Sequence, residues 1–581
     1  MRWFPDGLYG VARTFCLAAC AGLPISTLGL ADTPAVKAGE PTTFNRHVAP
    51  ILFKQCAPCH RPGQTAPFSL LTFADARKRA DQIAEVTRTR LMPPWLAESG
   101  HVAYANERHL ADAEIERFQA WVRDGLLEGE AADLPPVPVF SGEWELGQPD
   151  LVVKLGEAFE LPAGGKDVYR NFVVPIPGEL RRFVRGVEFA PGTNRVIHHA
   201  FINLDASRVS RRMASGKPSG FDGMVLPETA HMPEGQLLSW QPGRHAAWAA
   251  GGLSWTLEPG QDLVLQLHLR PSGKPELVQP SVGFYFTDQA ASNLPFRLNL
   301  TQLQIQIPAG ADAHHVGNEF KLPVDVTMLG LLPHLHYLGK SVTATATFPN
   351  GEERTLLRIP RWNFDWQSDY ALAKPILLPA GTVLKMDFVY DNSAANPANP
   401  NHPPKPVVYG SQTSDEMAEL WMQVQAGSLA DRNRLAGALN AKLLQDSLDY
   451  NSLVVRQDPR NAEAHTRIAK ALVVRGNDLQ AMEHLKEALR AKPDHDKAYY
   501  EIGAILLRQN RLEPAEKSFR AVLRFNPNDY QAYGSLGVVY LRQRRWEDAE
   551  KALLSALEIH PGDEIAKKNL EVVQRTKLTP P

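Results

Sequence analysis

The sequence predicts a multidomain protein with an all-α domain near the N-terminus, two antiparallel β-sandwiches in the middle and a C-terminal α-solenoid. Three observations carry this reading. A Cys56-Ala57-Pro58-Cys59-His60 motif sits among helix-period patterns, short β-branched runs bounded by Pro and Gly fill the centre, and Pro459, Pro493, Pro527 and Pro561 recur every 34 residues. At 581 residues the chain is too long for one core, and about three to five domains are expected. The net charge of −2 argues against a nucleic-acid partner or an anionic membrane surface.

Residues 1–31 read as an export signal. Arg2 and Arg13 are basic, Phe15 to Leu30 is mostly apolar, and Gly29-Leu30-Ala31 offers small residues for cleavage. The apolar run is interrupted by Pro24 and is shorter than the roughly 20 residues of a spanning helix. Leu17-Ala18-Ala19-Cys20 resembles a lipoprotein box, so anchorage through Cys20 is the alternative. Either way the mature chain is expected outside the cytoplasm, in the periplasm or beyond.

Residues 42–130 are expected to form a cytochrome c domain. C-x-x-C-H is the haem c attachment signature: two thiols add across the vinyl groups and the adjacent imidazole reaches the iron. The other cysteines, Cys16 and Cys20, lie in the apolar leader, which leaves no disulfide framework. Phe44 to Leu52 is helix-like, and helical patterns follow at Phe73–Arg90 and Asp112–Gly125, the latter with Ile115, Phe118, Trp121 and Val122 on one face. Met92, followed by Pro93 and Pro94, is the expected sixth ligand on a stiff loop, because axial Met/His ligation suits such a haem. His47, His101 and His109 are its rivals.

Leu151–Leu155, Phe172–Ile176 and Asp262–Leu269 read as strands. Four histidine sites stand out here: His198-His199, His268, His334-Leu335-His336 and the pair His314-His315. Alternation puts His334 and His336 on one face, about 7 Å apart. Neighbouring His198 and His199 point to opposite faces in a regular strand, so both could serve one metal only at a strand end or bulge. His314-His315 shows how readily such pairs arise by chance.

The ordered set of His198, His199, His268, His334 and His336, followed by Thr413-Ser414-Asp415-Glu416-Met417, resembles the ascorbate-dependent copper type II monooxygenases. The family includes peptidylglycine α-hydroxylating and dopamine β-monooxygenases. The resemblance spans about 280 residues and implies two jelly-roll-like copper domains, 140–290 and 291–428, with an open, watery cleft between them. It further implies two copper ions: one on His198, His199 and His268, which stores an electron, and one on His334, His336 and Met417, where O2 is used against a substrate C–H bond. A thioether beside imidazoles favours Cu(I).

The chain also departs from that family. It lacks cysteines for the disulfides of the animal members. Leu332, Glu419 and Trp421 stand where the peptide-amidating branch has arginine, asparagine and tyrosine, which argues against a peptidylglycine substrate and suggests a Trp421-lined pocket for an aromatic or apolar molecule. Gln266 matches a glutamine of that branch.

The prolines of 449–575 repeat with the tetratricopeptide period. Tyr499, Ile502, Gly503, Ala515 and Phe519 fit one repeat, and Tyr533, Leu536, Gly537, Tyr540, Ala549 and Ala556 fit the next. His465, Ile468, Ala469, Ala481 and Ala488 make a weaker first repeat, while Ile565, Leu570 and Val573 suggest a closing helix. A protein partner is expected for the array.

Together these features predict an exported copper monooxygenase. It would hydroxylate a small organic substrate with O2, with covalent haem c relaying electrons from an external donor, ascorbate-like or a redox protein. The alternatives are a non-catalytic copper-binding protein and a haem redox sensor with a repeat interaction platform.

Overall fold

The computed structural model describes residues 40–62, 66–105, 107–140, 144–192, 196–215, 220–224, 226–227, 229–233, 235–242, 244, 246–249, 253–290, 294–410 and 412–578. The export signal expected at 1–31, with Cys16 and Cys20, lies outside the described residues.

The N-terminal helical region begins with one continuous run from Phe44 to Cys56, part α and part π in hydrogen bonding. Phe44, Leu52, Ile83, Phe118 and Trp121 form its core. The helix expected over Phe73–Arg90 is two helices, Phe73–Arg77 and Ala80–Arg88. Arg79, at φ −121° and ψ 12°, leaves the helical range, and the bend keeps Ala76, Ala80 and Ile83 on the same core. Asp112–Arg123 forms where Phe118 and Trp121 share a face.

The central region is β-rich and builds two cores. In the first, a sheet containing Leu151–Lys154, Ser281–Thr287, Arg182–Ala190 and Trp255–Leu257 packs on a larger sheet. The larger sheet is centred on Val168–Pro175, Asp262–Leu269 and Ile197–Asp205. Val184, Phe284, Ile202 and Leu265 meet between them. In the second, Pro295–Thr301, Glu419–Ala426, Val326–His334 and Tyr370–Leu378 face His314–Lys321, Val383–Tyr390, Gly339–Thr347 and Glu353–Ile359. Burial in Glu419–Ala426 alternates strictly, as a strand with one core face requires.

Two boundaries differ from the sequence reading. Residues 95–105, expected in the helical domain, lie in the second β core: Ala97, Val102 and Tyr104 are buried there and Trp95 packs against them. The Ala105 N–H donates to Ala371 O and the Ala373 N–H to Ala103 O, so this segment extends the edge strand Tyr370–Leu378. The break expected before 449 is filled by a 29-residue helix, Leu429–Gln457, capped by Ser428 on the Asp431 N–H. Its Leu435 and Leu439 join the second β core, and its Leu448 packs with Ile468 and Ala471. Because its apolar residues serve two separate cores, no single stripe marks it in the sequence.

The C-terminal region is a stack of helix pairs: Ala462–Val474 with Asp478–Ala491, Asp496–Arg508 with Leu512–Phe525, and Tyr530–Arg542 with Trp546–Ile559. A Cβ on Gly503 would lie 2.8 Å from Phe519 and one on Gly537 2.6 Å from Leu553, so glycine sets the helix spacing at both. The last helix, Glu564–Leu578, closes the stack through Ala566 and Val573, while Ile565 is exposed. No described helix is long and apolar enough to cross a membrane.

Candidate metal centres

Cys56, Cys59 and His60 cap the first helical run. Cys56 packs against the helical core, and neither thiol is in a disulfide. Burial pushes the Cys56 thiol up to about 12, opposite to the depressed value of a C-x-x-C redox pair. The His60 Nδ1 lies 3.2 Å from Phe68 O, which turns Nε2 outward as the donor for a metal. Met92 comes from a different element, the turn after Ala80–Arg88, with its N–H on Val86 O. The rivals of Met92 have other partners: His47 Nδ1 meets the Thr43 N–H, His101 Nε2 meets Glu98 and His109 Nδ1 meets Ser99.

His198, His199 and His268 come together so that one ligand atom from each lies within 4.8 Å of the others. The cause is a register shift. His268 pairs with His199 but Leu269 pairs with Ile197, so His198 is the extra residue of a bulge. The bulge turns two neighbouring imidazoles to one side, with their Nδ1 atoms 3.2 Å apart. Two imidazoles bound at about 2 Å to one metal would sit at that separation. The comparison with His314-His315 is direct: that pair lies on a regular strand, unshifted against Val383–Tyr390, and His315 turns away to Asp387.

Carboxylates fix which nitrogen two of the three imidazoles offer. His268 Nε2 is 2.7 Å from Asp167 Oδ2, and His198 Nε2 is 3.2 Å from Asp365 Oδ1. The His268 Nδ1 is buried and has no hydrogen-bond partner among the described residues. A set of imidazole donors, two of them backed by carboxylates, fits a copper ion. Burial holds His199 well below its ordinary range, with His268 and His198 adding to the effect, so that imidazole is neutral and ready to bind.

The second site stands on the end of Val326–His334. His334 Nδ1 is 2.6 Å from Gln367 Oε1 and His336 Nδ1 is 3.0 Å from Asp415 O, so both offer Nε2. The ring centroids of His334 and His336 are 5.2 Å apart. Met417 is tied to this pair by Glu416, whose buried carboxylate accepts from the N–H groups of His336, Leu338 and Met417. Burial pushes Glu416 up to about 8. Burial first, then His334, lowers His336 to about 3. The Trp362 indole donates to His336 O, an approach that a Cβ on Gly339, 2.5 Å from that ring, would block. Two imidazoles with a thioether on the adjoining loop fit a copper ion that spends time as Cu(I).

The resemblance implies an open cleft between the two sites; here a turn of the second β region enters it. Phe364, on the turn Phe364–Trp366, stacks on His198 at 5.6 Å and meets His336 at 5.9 Å. Its neighbour Asp365 bonds His198 and also Arg270. Leu332 and Trp421 are direct cross-strand partners, with Glu419 opposite His334. Arg297 lies over the Trp421 ring, and the Trp421 indole N–H donates to Glu419. Gln266 bonds Asn171 Oδ1 and Met224 O. Asp167, Phe364, Asp365 and Gln367 carried no sequence signal; Glu416 was visible only as part of the Thr413–Met417 context.

A family model described as tetratricopeptide repeat matches residues 466–530 and 500–564. No curated protein matches the chain. Among solved structures, "Crystal structure of MamA" is 22% identical at TM-score 0.22, over 26% of this chain and 85% of that one. "MamA RS-1 ArsTM double mutant" is 24% identical at TM-score 0.22, over 24% and 85%. The protein is therefore multidomain, with a central β-rich region and a C-terminal array of tetratricopeptide repeats that points to a protein partner.

Proposed function

We propose that this protein is a copper monooxygenase that hydroxylates a C–H bond of a small organic substrate with O2, exported and fed with electrons through a covalently attached haem c. The observation that carries the reading is the bulge-driven convergence of His198, His199 and His268 beside the His334, His336 and Met417 site. Copper at both sites would supply one-electron chemistry and O2 use, and haem on Cys56, Cys59 and His60, with Met92 as sixth ligand, would supply electron relay. The chain's own part is to present three imidazole donors at the first site and two Nε2 donors with a thioether at the second. Asp167, Asp365 and Gln367 hold the imidazoles, and Glu416 locks His336 to Met417.

Oxygen uptake by copper-loaded, haem-bearing protein tests this. Uptake that rises with one member of a substrate panel and is lost in Met417→Ala supports the reading; substrate-independent uptake across the panel contradicts it. The family match, which falls on the repeats, favours a second reading: an interaction platform that binds copper or senses redox state without turnover. A stable complex formed through the repeats, together with bound copper and no substrate-dependent uptake, would establish it.

A further inference from the structure

The helical region that carries the haem motif does more than abut the β region. The stretch after Met92 is woven into the second β core, beside a short segment that touches both histidine sites. Trp95 stands three residues beyond Met92, and its ring meets Tyr370 at 5.1 Å, with Tyr104 closing the trio at 5.7 and 5.4 Å. The contact is held by the strand pairing of Ala103 and Ala105 with Ala371 and Ala373, by the Glu98 N–H on Arg358 O, and by the Tyr104 hydroxyl on Leu356 O. From Tyr370 the chain runs through Asp369 and Ser368 to Gln367, which bonds His334 at 2.6 Å. Two residues further back, Asp365 bonds His198, and Phe364 lies between His198 and His336. One seven-residue segment therefore meets the Met92 loop at one end and both histidine sites at the other.

We infer, resting on the copper and haem reading above, that residues 364–370 form the electron-transfer junction of the protein, and that electrons come in across the Trp95–Tyr370 contact and reach the His334 site before the His198 site. The path to His334 leaves the segment three residues from Tyr370; the path to His198 leaves it five residues away. In the step itself a ferrous haem gives up one electron and a cupric ion at the His334 site gains it, with no bond made or broken. Tyr370 is fully buried and its hydroxyl has no hydrogen-bond partner among the described residues. With its hydroxyl unpartnered, Tyr370 serves the path as a packed bridge rather than as a proton-coupled redox group.

The experiment is stopped-flow oxidation of the reduced haem in full-length protein, followed by haem absorbance, with copper and covalent haem contents measured on every variant. Trp95→Leu and Tyr370→Leu are expected to slow the haem-to-copper phase. Tyr370→Phe and Trp95→Phe, which keep an aromatic ring in the contact, should leave it fast. His268→Ala should retain the fast phase and His334→Ala should lose it. Hydrogen exchange at the Ala105 and Ala373 amides checks that the strap stays paired in the leucine variants; if it does not, Gln367→Leu, which leaves the strap alone, must show the slowing. Unchanged rates in Trp95→Leu, or a fast phase lost in His268→Ala and kept in His334→Ala, overturn the junction while leaving the functional reading in place. Protein matured with no covalent haem, or holding no copper, overturns both.

Discussion

The two histidine sites solve one problem in opposite ways. The first gathers three imidazoles from two neighbouring strands and depends on a bulge; the far nitrogens of His268 and His198 rest on carboxylates. The second uses ordinary strand alternation, offers Nε2 atoms, and brings its thioether in from a loop tied down by a buried glutamate. The first site is thus set by sheet register and the second by a loop anchor. One borrows support from another region through Asp365, while the other is assembled within the second β region.

That contrast can be broken most sharply at the paired histidines. His198→Ala should abolish tight copper binding at the first site, whereas His314→Ala and His315→Ala, on an unshifted strand, should leave copper content as it was. Copper analysis after desalting separates the two outcomes.

The supporting carboxylates come next. Asp167→Asn replaces the charged acceptor that holds the His268 Nε2 by a neutral amide and is expected to weaken copper at the first site by about 10–100-fold, leaving the second unchanged. Asp365, half exposed, should give an effect near the low end of that range. Competitive titration with a copper chelator reads both.

At the second site the anchor is the weak point. Glu416→Gln keeps the size but leaves one of three backbone N–H groups facing an amide donor, which should cost about 1–3 kcal/mol of stability. Denaturant unfolding measures the loss, and weakened copper at the His334 site without change at the His198 site would localise it.

A further effect is on pH. His199, His268 and His336 all lie below the ordinary 6.5 in the folded chain, chiefly through burial, with His336 near 3. The unfolded chain takes up these protons first. These histidines should therefore cost the metal-free protein stability progressively as pH falls from about 6.5 toward 3, while Glu416, raised to about 8, acts in the opposite sense as pH rises from about 4.5. Melting temperature across that range, with His336→Ala flattening part of the slope, is the check.

What could be read in the sequence follows from how local each signal is. The repeats were legible because a 34-residue period repeats local geometry, and Gly503 and Gly537 mark helix contacts directly. C-x-x-C-H and His334-Leu335-His336 are also local. His198-His199 was legible only as a condition, because the bulge depends on pairing with a strand about 70 residues away. Asp167 and Asp365, 101 and 167 residues from the histidines they hold, carried no signal at all. Nor did the strap at 95–105, whose Trp95 and Tyr104 gain a role only once Tyr370 is placed beside them.

The most direct test of two separate copper sites is copper stoichiometry in the full-length protein and two variants. The account expects two coppers per chain in the parent, loss of one in His268→Ala with the other kept, and loss of the other in His336→Ala. A parent that holds none, or variants that lose both together, would contradict it.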